Sequence, residues 1–324
     1  MGGFRRTIQK TPLFTEAHHG RPRLDYANHR ECRRENSAFP ERELVAKCLH
    51  SNLAADGVHL LANRRLTLDE NENIAFAWTP DSKAVVFHSD RNGTREIFKQ
   101  AIDQPTAERL VNSPEQLAQP RVSPDGSEIL YISTPKSAGP KTPSSIFAVP
   151  IEGGTPRLVL KDVGIWNLQC AHVQSTICLY SNEKATLPFD AKSGTTARPL
   201  VEHAAFNWSL SPDGSQRAVI VPGPGVGKIE LRSTSTGKTR YLIVKGWNGL
   251  NGIDWSANGN RLLVTWHNFE QESALPSVAL DGNATVLLKS SNPEIWGSIP
   301  SPDGRSLAIN EAGGPKNVWQ IQNF

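Results

Sequence analysis

Ser123-Pro124-Asp125-Gly126 decides the fold, because it returns along the chain. It recurs as Ser211-Pro212-Asp213-Gly214 and Ser301-Pro302-Asp303-Gly304, and in altered form as Thr79-Pro80-Asp81-Ser82 and Ser256-Ala257-Asn258-Gly259. The second positions fall at 80, 124, 212, 257 and 302, so the steps are 44, 88, 45 and 45. The double step leaves a place for one more copy, which residues 171–175 fill without the motif. Self-similarity at this period is the mark of an array of supersecondary units.

The tetrapeptide has a mechanism. Pro presets φ for the first central position of a type I turn, Asp tolerates the second, and Gly accepts the left-handed conformation that follows. Its flanks read as strands. Ala75-Phe76-Ala77-Trp78 and Gly252-Ile253-Asp254-Trp255 precede turns, and Val85-Val86-Phe87, Ile129-Leu130-Tyr131-Ile132 and Leu262-Leu263-Val264 follow them. A third strand comes next, as in Ser145-Ile146-Phe147-Ala148-Val149. A second turn such as Gly153-Gly154 then leads to a fourth strand, Arg157-Leu158-Val159-Leu160. Four short strands in about 45 residues make a β-propeller blade.

The sequence therefore predicts an all-β, six-bladed β-propeller of four-stranded antiparallel blades over residues 58–324. Blade three is placed by spacing alone, so five or seven blades stay open on the sequence. The last copy has room for a third strand, Asn317-Val318-Trp319-Gln320-Ile321, and none for a fourth. Arg64-Arg65-Leu66-Thr67-Leu68 is unclaimed and is expected to close the ring as that fourth strand, removing free sheet edges.

Residues 1–57 differ in kind. The first 60 residues hold ten Lys/Arg and seven Asp/Glu, against 25 of each in the rest, and five of the nine His. They show no sustained period and read as a weakly ordered basic tail with one short helix over 40–53. A basic interaction arm and the remnant of an upstream domain are the other readings. No apolar run suits a signal peptide or a spanning helix. The net charge of +3 is too small for a nucleic-acid surface built on bulk charge.

The repeats, with aromatic first strands and Gly-marked second turns, resemble the WD40-like Pro-Asp repeats of TolB-type propellers. The ending at 317–324 is similar to the last blade of bacterial regulators in which such a propeller follows a winged-helix or Ser/Thr kinase domain. The resemblance implies a sensor or interaction propeller, with a protein or peptide partner and, in the second case, a signalling role. It leans toward the envelope, whereas the lack of a signal peptide leans toward the cytoplasm.

Motifs for chemistry fail individually. Gly223-Pro224-Gly225-Val226-Gly227-Lys228 lacks the first Gly and the closing Ser/Thr of a phosphate loop. There is no Gly-x-Ser-x-Gly, His-Glu-x-x-His or Cys-x-x-Cys. The expectation is a noncatalytic monomer without cofactor or metal; an enzyme using its own channel is the remaining alternative. Candidate binding residues are Asn73, Gln119, Asn167, Asn207 and Asn251 at the channel mouth, and Trp166, Trp247 and Trp296 on the rim. Solvated channel walls and half-buried packing are the bland alternatives. Cys170 and Cys178 straddle the degenerate turn, either as two buried thiols or as a cross-strand disulfide standing in for the lost motif.

Overall fold

A computed structural model describes residues 45–313, apart from 55–58, 140, 173–174, 203–204, 206, 224, 269–271 and 292–293. The chain opens with β1 (Val45–Leu53) and β2 (Leu60–Arg65). Blade one follows as β3 (Asn73–Trp78), β4 (Ala84–Ser89), β5 (Glu96–Ala101) and β6 (Glu108–Val111). Blade two is β7 (Gln116–Val122), β8 (Glu128–Thr134), β9 (Pro143–Pro150) and β10 (Arg157–Val163). Blade three is β11 (Asn167–Cys170), β12 (Cys178–Ser181) and β13 (Thr186–Phe189). Blade four is β14 (Trp208–Leu210), β15 (Gln216–Val221), β16 (Gly227–Ser233) and β17 (Thr239–Val244). Blade five is β18 (Leu250–Trp255), β19 (Arg261–His267), β20 (Ser273–Ala279) and β21 (Ala284–Ser290). Blade six begins with β22 (Glu294–Pro300) and β23 (Ser306–Gly313).

All strand pairs within the blades are antiparallel, and the expected six-bladed propeller is what the chain forms. The first strands of successive blades touch in a ring, and β22 meets β3 to close it. Among the described residues blade three has three strands, β11, β12 and β13. Its fourth position is held by two isolated bridges, Thr186 to Val201 and Phe189 to Thr196. Among the described residues there is no helix long and apolar enough to cross a membrane.

The closure differs from the expectation. Blade six runs in the order β2-β1-β23-β22, so the amino-terminal part supplies two strands rather than one. Val45–Leu53 pairs with β23 from Val45↔Gly313 to Asn52↔Ser306. The expected third strand at 317–321 lies outside the described residues. The helix expected over 40–53 is a strand from 45 onward, within the stretch read as tail. A short apolar run fits either period, and burial against neighbours on both faces selects the strand. Cys48, His50 and Ser51 are all buried there.

The turns form as their chemistry demands. In each motif the first residue's carbonyl accepts the N–H of the fourth, as in Ser123 and Gly126 at 2.9 Å. The Ser or Thr hydroxyl donates to the third residue's side chain, at 2.6–2.9 Å across the five turns. The same hydroxyl accepts a backbone N–H five residues on. These donors hold Asp81 and Asp125 below the usual carboxylate range, led by the hydroxyls of Thr79 and Ser123. Blade one has Ser82 in the left-handed position, at φ 61°.

Buried apolar side chains fall into six clusters among the described residues, each at a junction of two neighbouring blades. Leu130 and Ile146 of blade two meet Leu168 and Tyr180 of blade three, for example, and Ala308 of blade six meets Phe87 and Phe98 of blade one. At two junctions a turn glycine permits close approach. A Cβ on Gly194 or Gly282 would run into the Val159 or Ile243 carbonyl of the preceding blade. The core is thus a ring of blade interfaces around an axial channel.

Candidate functional site

The inner edge of each first strand has no neighbouring strand and must satisfy its backbone otherwise. Side chains from adjacent blades do this. Asn310 accepts from Ala75 N and donates to Ala75 O, both at 2.9 Å. The Trp78 indole donates to Ile299 O, and that of Trp255 to Ser209 O. Gln119 donates to Trp166 O at 2.6 Å and accepts from Leu168 N.

Near the Ser-Pro-Asp-Gly turns the channel widens into a cavity of about 260 Å³ reached by all six blades. The residue two places before each turn motif lines it in all six blades: Ala77, Arg121, Gln169, Ser209, Asp254 and Ile299. Blade one adds Phe76 beside Ala77, at a β-bulge between Ala75 and Ala77. Blades two to five therefore present polar groups, and blades six and one present an apolar wall. Turn residues Pro80, Pro124, Pro212, Ala257 and Pro302 surround the opening.

Arg121 is fixed from two sides. Its Nε donates to Leu168 O at 2.9 Å, its Nη1 donates to Phe76 O, and its guanidinium lies over the Phe76 ring. Asp254 accepts from the Ser209 hydroxyl at 3.0 Å. Each retains some surface facing the channel, yet each is enclosed by protein. That enclosure disfavours charge on both. It lowers Arg121 below its ordinary value against the pull of Asp254. It raises Asp254 to about 6 despite the opposing effects of Arg121 and Ser209. His172 also lines the cavity and is lowered by burial, opposed by its hydrogen bond to the Cys170 backbone.

The eight candidates named from sequence do not line this cavity. Asn73 is fully buried and spent on Asp69, Asn71 and Arg91. Gln119 is the inter-blade staple described above, with φ at 52°. Asn167 is buried opposite Ser181. Asn207 is exposed, and Asn251 turns back to Gly249 O. Trp166 packs on the blade three–four cluster. Trp247 meets Trp266 edge-on at 5.5 Å, beside a second cavity of about 490 Å³ with Glu272 and Lys289. Trp296 is 46% exposed. These residues start the first strands or precede them, whereas the cavity forms where those strands end. The missed signal was the recurrent position two residues before each turn, where an Arg and an Asp break an otherwise uncharged set.

Cys170 and Cys178 are directly opposed on β11 and β12 and form a disulfide, with Cα atoms 4.1 Å apart. The bridge sits where blade three lacks the turn motif, and Cys170 lines the cavity.

No model of a known protein family matches the chain, and no curated protein does. Solved structures do. A protein described as TolB from Agrobacterium tumefaciens is similar at a TM-score of 0.62 and 18% identity, covering 84% of this chain and 100% of that one. The fold is TolB-like. TolB from Acinetobacter baumannii is similar at 0.56 and 15% identity, over 83% of this chain and 64% of that longer one. An oligogalacturonate lyase in complex with manganese is similar at 0.56 and 12% identity, over 85% and 92%. At these identities the TolB-like fold is what is shared; function does not follow from it.

Proposed function

We propose that this chain is a noncatalytic recognition propeller that takes a ligand at the turn-side end of its channel. The observation that carries the reading is the cavity that residues of all six blades line together. Its groups are held before any ligand arrives: Arg121 by two backbone carbonyls and an aromatic ring, Asp254 by Ser209. Such preorganisation lowers the entropic cost of binding. The Cys170–Cys178 bridge suits an oxidising compartment, as an envelope role would require. A ligand-sensing part of a larger signalling protein is one form of the same reading.

A second reading is favoured by Asp254. A carboxyl raised to about 6 is in the range of a general acid or base. With the oligogalacturonate lyase sharing the fold, that supports an enzyme working in the channel. The test uses the full chain and the variant Ile299→Trp, which fills the cavity from its apolar wall. Thermal-shift and calorimetric screens against metabolites and short peptides are expected to yield a ligand that wild type binds unchanged and the variant does not. Sustained turnover of any bound compound by the purified protein overturns the noncatalytic reading. Equal binding by a folded Ile299→Trp variant removes the cavity as its site.

A further inference from the structure

Arg121 and Asp254 come from blades two and five, three apart in a ring of six, so they face each other across the channel axis. They influence each other electrostatically, yet among the described residues neither has an ion-pair partner. Each has hydrogen-bonding capacity to spare. Nη2 of Arg121 and Oδ2 of Asp254 have no partner among the described residues, whose hydrogen bonds to these two groups are the three already named. Gln169, on blade three between them, is 9% exposed, and its amide has no hydrogen-bond partner among the described residues. Opposite stand Phe76 and Ile299, an apolar wall.

We infer that the ligand is a small zwitterion, an amino acid or a dipeptide, with its carboxylate on Arg121 and its ammonium group on Asp254. The inference rests on the recognition reading above and deepens it. A planar guanidinium with a free N–H fits a carboxylate. An ionised carboxylate with a free oxygen fits an ammonium group. Asp125, also on the lining, is already paired with Lys192 at 3.1 Å, so the charges left for a ligand to meet are one positive and one negative. An anion alone would relieve Arg121 and be repelled by Asp254, and a cation alone would meet the reverse. Only a ligand carrying both charges satisfies both groups, and buried charges left unpaired are costly. The Gln169 amide supplies the donor and acceptor that a peptide or α-carboxylate backbone uses, and the apolar wall takes a hydrocarbon side chain. Size agrees: about 260 Å³ is room for roughly nine waters at ~30 Å³ each, below the range of drug-sized pockets.

The test is isothermal titration calorimetry at pH 7.5 on the full chain. The probes are the twenty L-amino acids, glycylglycine and alanylalanine, with glucose and adenosine monophosphate as probes of other classes. Each zwitterionic hit is paired with its N-acetyl analogue, which lacks the cationic group, and its carboxamide, which lacks the anionic one. At least one zwitterion is expected to bind, with both analogues weaker by about tenfold or more. Asp254→Asn keeps an oxygen for the Ser209 hydroxyl and is expected to fold. It should bind the zwitterion about tenfold more weakly and no longer distinguish it from the N-acetyl analogue. Gln169→Leu should weaken zwitterion and analogues together. Analogues that bind as well as the parent compound overturn the inference. So does a panel in which no zwitterion binds but a neutral sugar or a nucleotide does, and Ile299→Trp blocks it; recognition in the cavity then stands with a different ligand. If no compound of any class binds, the inference and the recognition reading fall together.

Discussion

Opening the Cys170–Cys178 bridge should cost this propeller about 2.5 kcal/mol. The two cysteines are 8 residues apart. In the chain-entropy account a loop that short restricts the unfolded chain by about 8 cal/mol/K, or about 2.5 kcal/mol at 25 °C. Blade three has little to offset the loss, because it lacks both the hydroxyl-to-carboxylate turn network and a complete fourth strand. At about 2.1 cal/mol/K per residue, the expected fall in Tm for a chain of 324 residues is about 4 °C. The assay is urea unfolding with and without dithiothreitol, beside the pair Cys170→Ala and Cys178→Ala. The double variant should lose at least as much as the reduced wild type, since Cys178 is fully buried and truncation removes packing. Reductant should leave the double variant unchanged. Cys48 is free and buried, and its thiol is pushed up to about 12, so it will not react in the native protein. Counting thiols after denaturation gives the bridge directly, as a gain of two on reduction. If that gain occurs and stability does not move, the bridge does not replace the lost turn and the reasoning fails.

Other outcomes follow from the same contacts. Asp254 is held near 6 in the fold against about 3.9 unfolded, so between roughly pH 4 and 6 the native state binds a proton that the unfolded state does not. Stability from this group therefore falls as pH rises through that window, by up to about 3 kcal/mol and by about 1–2 kcal/mol once channel water screens it. Arg121, His172 and Asp125 share the cavity, and Glu311, raised to about 7 by burial, slopes the same way. The comparison with Asp254→Asn in thermal melts isolates the Asp254 part; parallel pH curves for the two proteins would refute it. Asn310→Ala should destabilise by about 2–4 kcal/mol in chemical denaturation, because it strands the buried N–H and C=O of Ala75 where blade six meets blade one; a loss under 1 kcal/mol would show that water replaces the staple. A chain beginning at residue 58 lacks β1 and leaves β23 unpaired on one side, so it should aggregate in size-exclusion chromatography. A chain beginning at 42 should elute and melt as the full protein does.

The turn tetrapeptides alone determined most of the architecture. Ser, Pro, Asp and Gly each act through local backbone geometry, so five readable turns, with one gap of twice the usual step, placed the strands and pointed to six blades, a count that the ring itself then fixed. An amino-terminal strand closing the ring was equally legible, since 64–68 reads as a strand with no turn motif of its own before the first blade. The segment 64–68 read as that fourth strand overlaps β2, the outermost strand of blade six; what sequence could not decide was that Val45–Leu53 would stand between it and β23. Val45–Leu53 has no turn chemistry of its own, and its apolar residues fit a helix face as well as a strand buried on both sides. The exposed hydrogen-bonding edge of β23 selects the strand, and that edge exists only once the ring is built. The disulfide stood between two readings for the same reason: spacing put Cys170 opposite Cys178, and the register of β11 on β12 joined them. The candidate site was the least legible part. Polar residues at strand entries looked available along the chain, but Gln119 is spent as a staple between blades, Asn73 and Asn251 on neighbours close in sequence, and Asn167 is buried. Arg121 and Asp254 are 133 positions apart and looked like isolated charges in strands; only the six-fold arrangement brings them to one cavity, because a channel is a property of the ring and of no single repeat.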